Sequence, residues 1–158
     1  ASGIAPVAEL LDRGIKVGLG TDGCASNNNL DLLQEVDSAA KLQKVHYLDP
    51  TALPAGAALE MAILGSSRVL GLEDRVGALI PGLRADLVVI DLDQPHLTPL
   101  YDPYSHLVYA VRGADVQTVV INGRVVVQDR QILTFDLEET LARARELARG
   151  VKNGGPKR

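Results

Sequence analysis

The 158 residues carry 16 basic and 20 acidic side chains for a net charge of -4, with 46% hydrophobic and 3% aromatic content and a single cysteine. That balance fits one compact domain or the joined parts of two, and it leaves no electrostatic footprint for nucleic acid and few stacking platforms for bases. No apolar run approaches the roughly 18 residues of a membrane span, no leader with a basic start and apolar core opens the chain, and Cys24 alone permits no internal disulfide, so the expected setting is cytoplasmic.

Residues 1 to 14 place Ile4, Val7, Leu10 and Leu11 in a stripe at helical spacing, with Gly14 as the stop. Ile15, Val17 and Leu19 then alternate with Lys16, Gly18 and Gly20, a period of two that predicts a short strand. Thr21 to Asn29 cannot extend it, because Gly, Ser and Asn favour turns. Residues 30 to 46 read as an amphipathic helix through Leu33, Val36, Ala40 and either Leu42 or Val45, with Glu35 and Asp37 ahead of Lys41 and Lys44 in the favourable order of charge. Pro50 and Pro54 mark a linker, and residues 55 to 70 resume helical periodicity as one kinked helix or two short ones.

Beyond Gly71 the period shortens to two. Pro81-Gly82 is a turn, and residues 86 to 91 (Asp-Leu-Val-Val-Ile-Asp) form a buried strand. Residues 94 to 106, with three prolines, are an irregular excursion. Leu107 to Val111, Val116 to Ile121 and Arg124 to Val127 are three further strands, the last two joined by Asn122-Gly123, a strong two-residue hairpin signal. Residues 137 to 149 make an amphipathic helix through Leu137, Leu141, Ala144, Leu147 and Ala148, expected to cover one face of the sheet, and Lys152 to Arg158 form a frayed tail. The chain therefore divides into an α/β portion (1 to 70), a mostly β portion (71 to 134) whose sheet edges call for strands from elsewhere, and a closing helix with its tail (135 to 158).

Asp22 is the first candidate for chemistry, since α/β folds carry their reactive groups at the carboxyl ends of strands. A plain turn, with Asp22 or Asn29 capping the next helix, explains the local sequence equally well. The three histidines, His46, His96 and His106, are isolated and read as structural, and they make no metal site by themselves. Cys24 reads as a small buried thiol rather than a nucleophile. Ser26 lacks a Gly-x-Ser-x-Gly setting, and Gly18-Leu19-Gly20 is not a phosphate loop.

Several stretches together point further. Gly18 to Asp31 (GLGTDGCASNNNLD), Ala39 to Lys44 (AAKLQK), Asp49 to Pro54 (DPTALP), Gly77 to Asp91 (GALIPGLRADLVVID) and Pro95 to Leu107 (PHLTPLYDPYSHL) closely resemble the carboxyl-terminal part of 5-methylthioadenosine/S-adenosylhomocysteine deaminases, in the metal-dependent amidohydrolase superfamily. The resemblance implies an α/β fold, the end of a (β/α)8 barrel joined to the last strands of a small β-sandwich and closed by a carboxyl-terminal helix. It implies that Ile15 to Leu19 is the eighth barrel strand and that Asp22 contacts one divalent ion, usually zinc, and the attacking water. Asp22 would then take the water's proton and pass it toward ammonia leaving purine C6. Ser26 would contact the ribose or its 5′ substituent.

The family's remaining metal ligands and its ring-protonating glutamate lie upstream of this stretch, so the resemblance implies a chain inactive alone. Its implied partners are a small nucleoside substrate and the missing amino-terminal barrel portion, with a homo-oligomer as an option and neither nucleic acid nor membrane. A chlorohydrolase or another aromatic-amine hydrolase of the superfamily, a structural fragment without activity, and a subunit of a split assembly stay open as alternatives.

Overall fold

The computed structural model describes residues 3 to 152; the expected frayed tail lies, apart from the backbone of its first residue, outside them. Helices come first. Helix α1 (Val7–Asp12) is shorter than the apolar stripe suggests, because Pro6 occupies its N-cap. A single turn, α2 (Cys24–Asn27), precedes α3 (Leu32–Tyr47), whose start is fixed by Asp31: its carboxylate accepts from the Leu33 N–H at 3.0 Å. Helix α4 (Ala55–Glu60), a π-turn (Met61–Gly65) and α5 (Ser66–Val69) run on from one another, so residues 55 to 69 are one helical path with a wide turn in its middle.

These helices own the core. Val36, Ala40, Leu53, Ala58, Met61 and Val108 form one buried cluster, with Val17 and Leu19 packed against it. Ala40 and Ala58 let the elements approach closely, and aliphatic side chains fill the rest of a core in a chain so poor in aromatic residues. Two polar groups are buried with it: Gln43 satisfies its amide on the Ala8 N–H and the Ala5 carbonyl, and Ser67 donates to the Leu64 carbonyl.

The sheet follows. Strand β1 (Leu87–Ile90), β2 (Val116–Ile121), β3 (Arg124–Gln128) and β4 (Gln131–Ile132) pair antiparallel in chain order, with register shifts at Val89/Ile90 and Val119/Val120. Asn122 and Gly123 both have positive φ, 50° and 77°, as a two-residue hairpin demands. Val88 and Val89 point to opposite faces of β1, yet they are 54% and 44% exposed, so this edge is bare on both sides. The chain as a whole exposes 11196 Å², against about 7,600 Å² for a compact monomer of its mass.

Three expectations need correction. Leu107 to Val111 is no strand: α6 (Pro103–Tyr109) passes through it, because Asp102 accepts from the Tyr104 and Ser105 N–H groups and Pro103 sits at the first helical position. Ile15 to Leu19 carries no strand ladder among the described residues; its N–H groups find Leu10 O (from Ile15) and the Ser66 hydroxyl (from Leu19) instead. Helix α7 (Leu137–Lys152) does not cover the sheet, since Leu137, Leu141, Leu147 and Val151 are all exposed.

Candidate functional site

Backbone contact, together with the packing of Val17 and Leu19 against the core, sets the path of residues 15 to 20. A Cβ on Gly65 would stand 2.3 Å from the Val17 carbonyl oxygen, and one on Gly18 would stand 2.8 Å from the Ser66 Cα. Two glycines thus let this stretch lie directly on the π-turn, and the Leu19 N–H donates to Ser66 Oγ at 3.1 Å. The segment leaves the core after Leu19 and delivers Asp22 to the surface.

Asp22 has φ 57°, in the left-handed region that few residues other than Gly, Asn and Asp accept. Its Oδ1 accepts from the Gly23 N–H at 2.7 Å, and the Ser26 side chain lies near enough to favour the ionised carboxylate. The Gly23 N–H foremost, and Ser26 after it, hold the carboxyl below the usual aspartate range. The two candidates, Asp22 and Ser26, are therefore neighbours, one turn apart on the loop and the short helix α2. Asp22 does not cap α3; that role belongs to Asp31.

The sequence pattern marks Asn27 only as loop-forming and Glu35 only as a helix charge, but both belong to this cluster. Asn27 Nδ2 donates to the Thr21 carbonyl at 2.9 Å and to Glu35 Oε1 at 2.7 Å. The available signal was positional: Asn27 lies on the same tight loop as Asp22, and Glu35 lies in the first turn of α3, which that loop enters.

Cys24, expected to be buried, is exposed at the start of α2, because the loop stands clear of the core. The histidines are structural as expected for two of them: His96 Nε2 lies 3.1 Å from Asp115 Oδ2, and His106 Nδ1 lies 3.1 Å from the Asp102 carbonyl oxygen. His46 meets the Tyr47 ring edge-on at 4.7 Å, in place of the expected contact with helix carbonyls. Two open clefts, of about 430 and 440 Å³, flank the π-turn, one beside Ile15 to Val17 and one beside Tyr104; Asp22 and Ser26 line neither.

A carboxylate oxygen is an ordinary ligand for zinc, and an exposed Asp22 held ionised suits that role. Among the described residues no three or more His, Cys, Asp or Glu side chains converge on a common point. The donor chemistry of Asp22 fits a divalent ion as one ligand of several. Among the described residues no helix is long and apolar enough to cross a membrane.

Residues 1–126 match the amidohydrolase family. Over 152 residues the chain is 58% identical to the 5-methylthioadenosine/S-adenosylhomocysteine deaminase 1 of Syntrophus aciditrophicus, covering 96% of this chain and 34% of that one. A crystal structure of an adenosine deaminase from Xanthomonas campestris with bound zinc superposes with a TM-score of 0.93 at 38% identity, over 96% of this chain and 35% of that one. The zinc complex of atrazine chlorohydrolase from Arthrobacter aurescens gives 0.83 at 36%, over 92% and 32%. The chain thus spans about a third of the length of the relatives it matches. An α/β chain with an open four-stranded sheet and a carboxyl-terminal helix, homologous to the methylthioadenosine/adenosylhomocysteine deaminases, it belongs to the amidohydrolase family.

Proposed function

We propose that this chain is the carboxyl-terminal part of a metal-dependent hydrolytic deaminase that converts the 6-amino group of adenosine-type nucleosides, such as 5-methylthioadenosine, S-adenosylhomocysteine or adenosine, to the inosine analogue with release of ammonia. Residues 1–70 would supply the last barrel elements, with 15–19, which has no strand ladder of its own here, completing a barrel only beside strands from outside this chain, residues 71–134 part of a composite β-sandwich, and 135–158 the closing helix and tail. The observation that carries this reading is Asp22: a carboxylate held by the Gly23 N–H and kept below the usual aspartate range, at the end of a core-lying segment, in a chain 58% identical to one such deaminase.

One divalent ion, zinc by analogy with the related adenosine deaminase, would take Asp22 as one ligand and the rest from outside this chain, and it would supply the Lewis acidity that makes water a nucleophile near neutral pH. Asp22 does the proton work. Its free oxygen accepts a proton from the attacking water as the new C6–O bond forms, and returns it to the amino nitrogen as the C6–N bond breaks. The Gly23 N–H orients the carboxylate, the Ser26 hydroxyl adds to what keeps it ionised, and the exposure of Ser26 leaves it open to the sugar or its 5′ substituent.

The test uses the zinc-loaded polypeptide that contains this chain, with ammonia release measured from the three nucleosides. Asp22→Asn keeps the shape and removes the base, so kcat should fall about 10³-fold, within the span for a positioned acid–base group. Undiminished turnover in that variant refutes the assignment. The similarity to atrazine chlorohydrolase favours one second reading, a hydrolase that expels chloride from an aromatic ring; chloride release without ammonia release would select it.

A further inference from the structure

We infer that Asn27 and Glu35 form a positioning pair that holds Asp22 in its working conformation. The inference rests on the reading of Asp22 as the proton-transferring carboxylate. Asp22 sits at φ 57°, a conformation that aspartate tolerates but that neighbouring hydrogen bonds must select over the extended alternatives. Those bonds can be enumerated. On the amino-terminal side, the Thr21 carbonyl, which is half of the Thr21–Asp22 peptide unit, accepts from Asn27 Nδ2 at 2.9 Å. On the carboxyl-terminal side, the Asp22 carbonyl accepts from Thr21 Oγ1 at 3.0 Å. The carboxylate itself accepts from the Gly23 N–H.

Of these groups only Asn27 is tied to the rigid part of the molecule. The same Nδ2 donates to Glu35 Oε1 at 2.7 Å, so its two protons are both committed and the amide cannot rotate without losing both bonds. Glu35 is half-buried on a 16-residue helix whose first turn is locked by Asp31. The linkage runs from α3 through Glu35 and Asn27 to the peptide preceding Asp22, and each step is a hydrogen bond of ordinary length. Neither residue touches Asp22's carboxylate, so both act through the backbone.

A structural staple between loop and helix would look similar, and the kinetics separate the two. Four variants are made in the zinc-loaded enzyme that contains this chain, with Asp22→Asn in parallel. Asn27→Asp removes both donors and sets two carboxylates side by side. Glu35→Ala frees the amide, Glu35→Gln keeps an acceptor of the same reach, and Glu35→Asp shortens that reach and serves where the alanine variant fails to fold. The expected result is a fall in kcat of about 30- to 100-fold for Asn27→Asp and Glu35→Ala, the scale of a small misplacement at the reacting centre, with KM for the nucleoside little changed. Glu35→Gln should restore kcat to nearly the parent value. With cobalt(II) in place of zinc, the visible absorption should shift in the first two variants and match the parent in Glu35→Gln. Parent kcat and parent cobalt spectrum in folded Asn27→Asp and Glu35→Ala (or Glu35→Asp) would overturn the inference, as would equal damage from Glu35→Gln and Glu35→Ala. An inactive Asp22→Asn beside unaffected Asn27 and Glu35 variants overturns the positioning pair alone, whereas an active Asp22→Asn removes the reading beneath it and the pair with it.

Discussion

Gly65 touches Val17 backbone to backbone: the position its Cβ would occupy lies 2.3 Å from the Val17 carbonyl oxygen, closer than any real side chain comes. At this point the helical layer meets residues 15 to 20 with no room for a side chain, five residues before Asp22. The contact lies within the π-turn, so one wide helical turn and one missing side chain together make room for the segment that leads to the candidate site.

Gly65→Ala should therefore act on both folding and geometry. The added methyl has no flexible neighbour to push aside, only a carbonyl, and overpacking of that kind costs about 1–3 kcal/mol. A urea titration should show the midpoint lowered with its slope unchanged. The same substitution at Gly56, whose Cβ would meet nothing within 4 Å, should leave the midpoint near that of the parent or raise it, since alanine favours helix. Equal midpoints for the two variants would mean that the segment can move aside freely.

A second prediction concerns acid. Asp115 is only 5% exposed. Burial, the largest single influence, pushes its carboxyl up, but the Arg112 N–H and the His96 ring, helped by the charges of His96 and Arg130, outweigh it and leave the carboxyl below its ordinary value. A folded value below the unfolded one means that ionised Asp115 stabilises the fold above the unfolded aspartate value of about 3.9, and that this contribution is lost as pH falls through the lower folded value. His96→Ala removes one of the groups that depress it, so the folded value rises, the margin above pH 4 shrinks, and acid unfolding begins at higher pH. His106→Ala, whose ring meets only the Asp102 carbonyl, should leave the acid limb unchanged. Far-UV circular dichroism followed from pH 6 to pH 2 checks both; coincident curves for His96→Ala and the parent would refute the linkage.

The parts of this fold legible in the sequence are those decided locally. Asn122-Gly123 names its own turn, because two consecutive positive φ values admit few residue pairs. Helix α3 follows from Leu33, Val36 and Ala40, and the uncertainty between Leu42 and Val45 arose because neither lies on the buried face: they are 46% and 67% exposed. The strand expected at Leu107 to Val111 failed because a short apolar run has no period of its own, and the Asp102-Pro103 start signal five residues upstream outranked it. Cys24 and α7 were misread for a shared reason. Small or periodic apolar side chains argue for burial, but burial needs a covering surface, and the described residues offer none at those positions. At the candidate site Asp22 stood out as a carboxylate after an apolar run, whereas Asn27 and Glu35 gain their meaning only from hydrogen bonds across the loop.

The last prediction concerns metal. A transition ion held firmly needs three or four converging ligands, and the described residues contain no such group. His96 faces Asp115 and His106 faces a backbone carbonyl, each on its own element, so a site cannot form from them without giving up those bonds. Asp22 offers one carboxylate at the surface. A single exposed carboxylate exchanges zinc rapidly with solvent and with any chelator. The purified 158-residue chain, loaded with excess zinc and then passed through a desalting column, should retain a small fraction of one ion per chain by atomic emission. When the same measurement is made on the longer polypeptide, the proposed function requires close to one ion, and Asp22→Asn should weaken its retention in competition with a chelator. One firmly held ion in the 158-residue chain would show that it forms a complete site by itself, and would overturn the view that Asp22 contributes to a centre whose other ligands lie outside it.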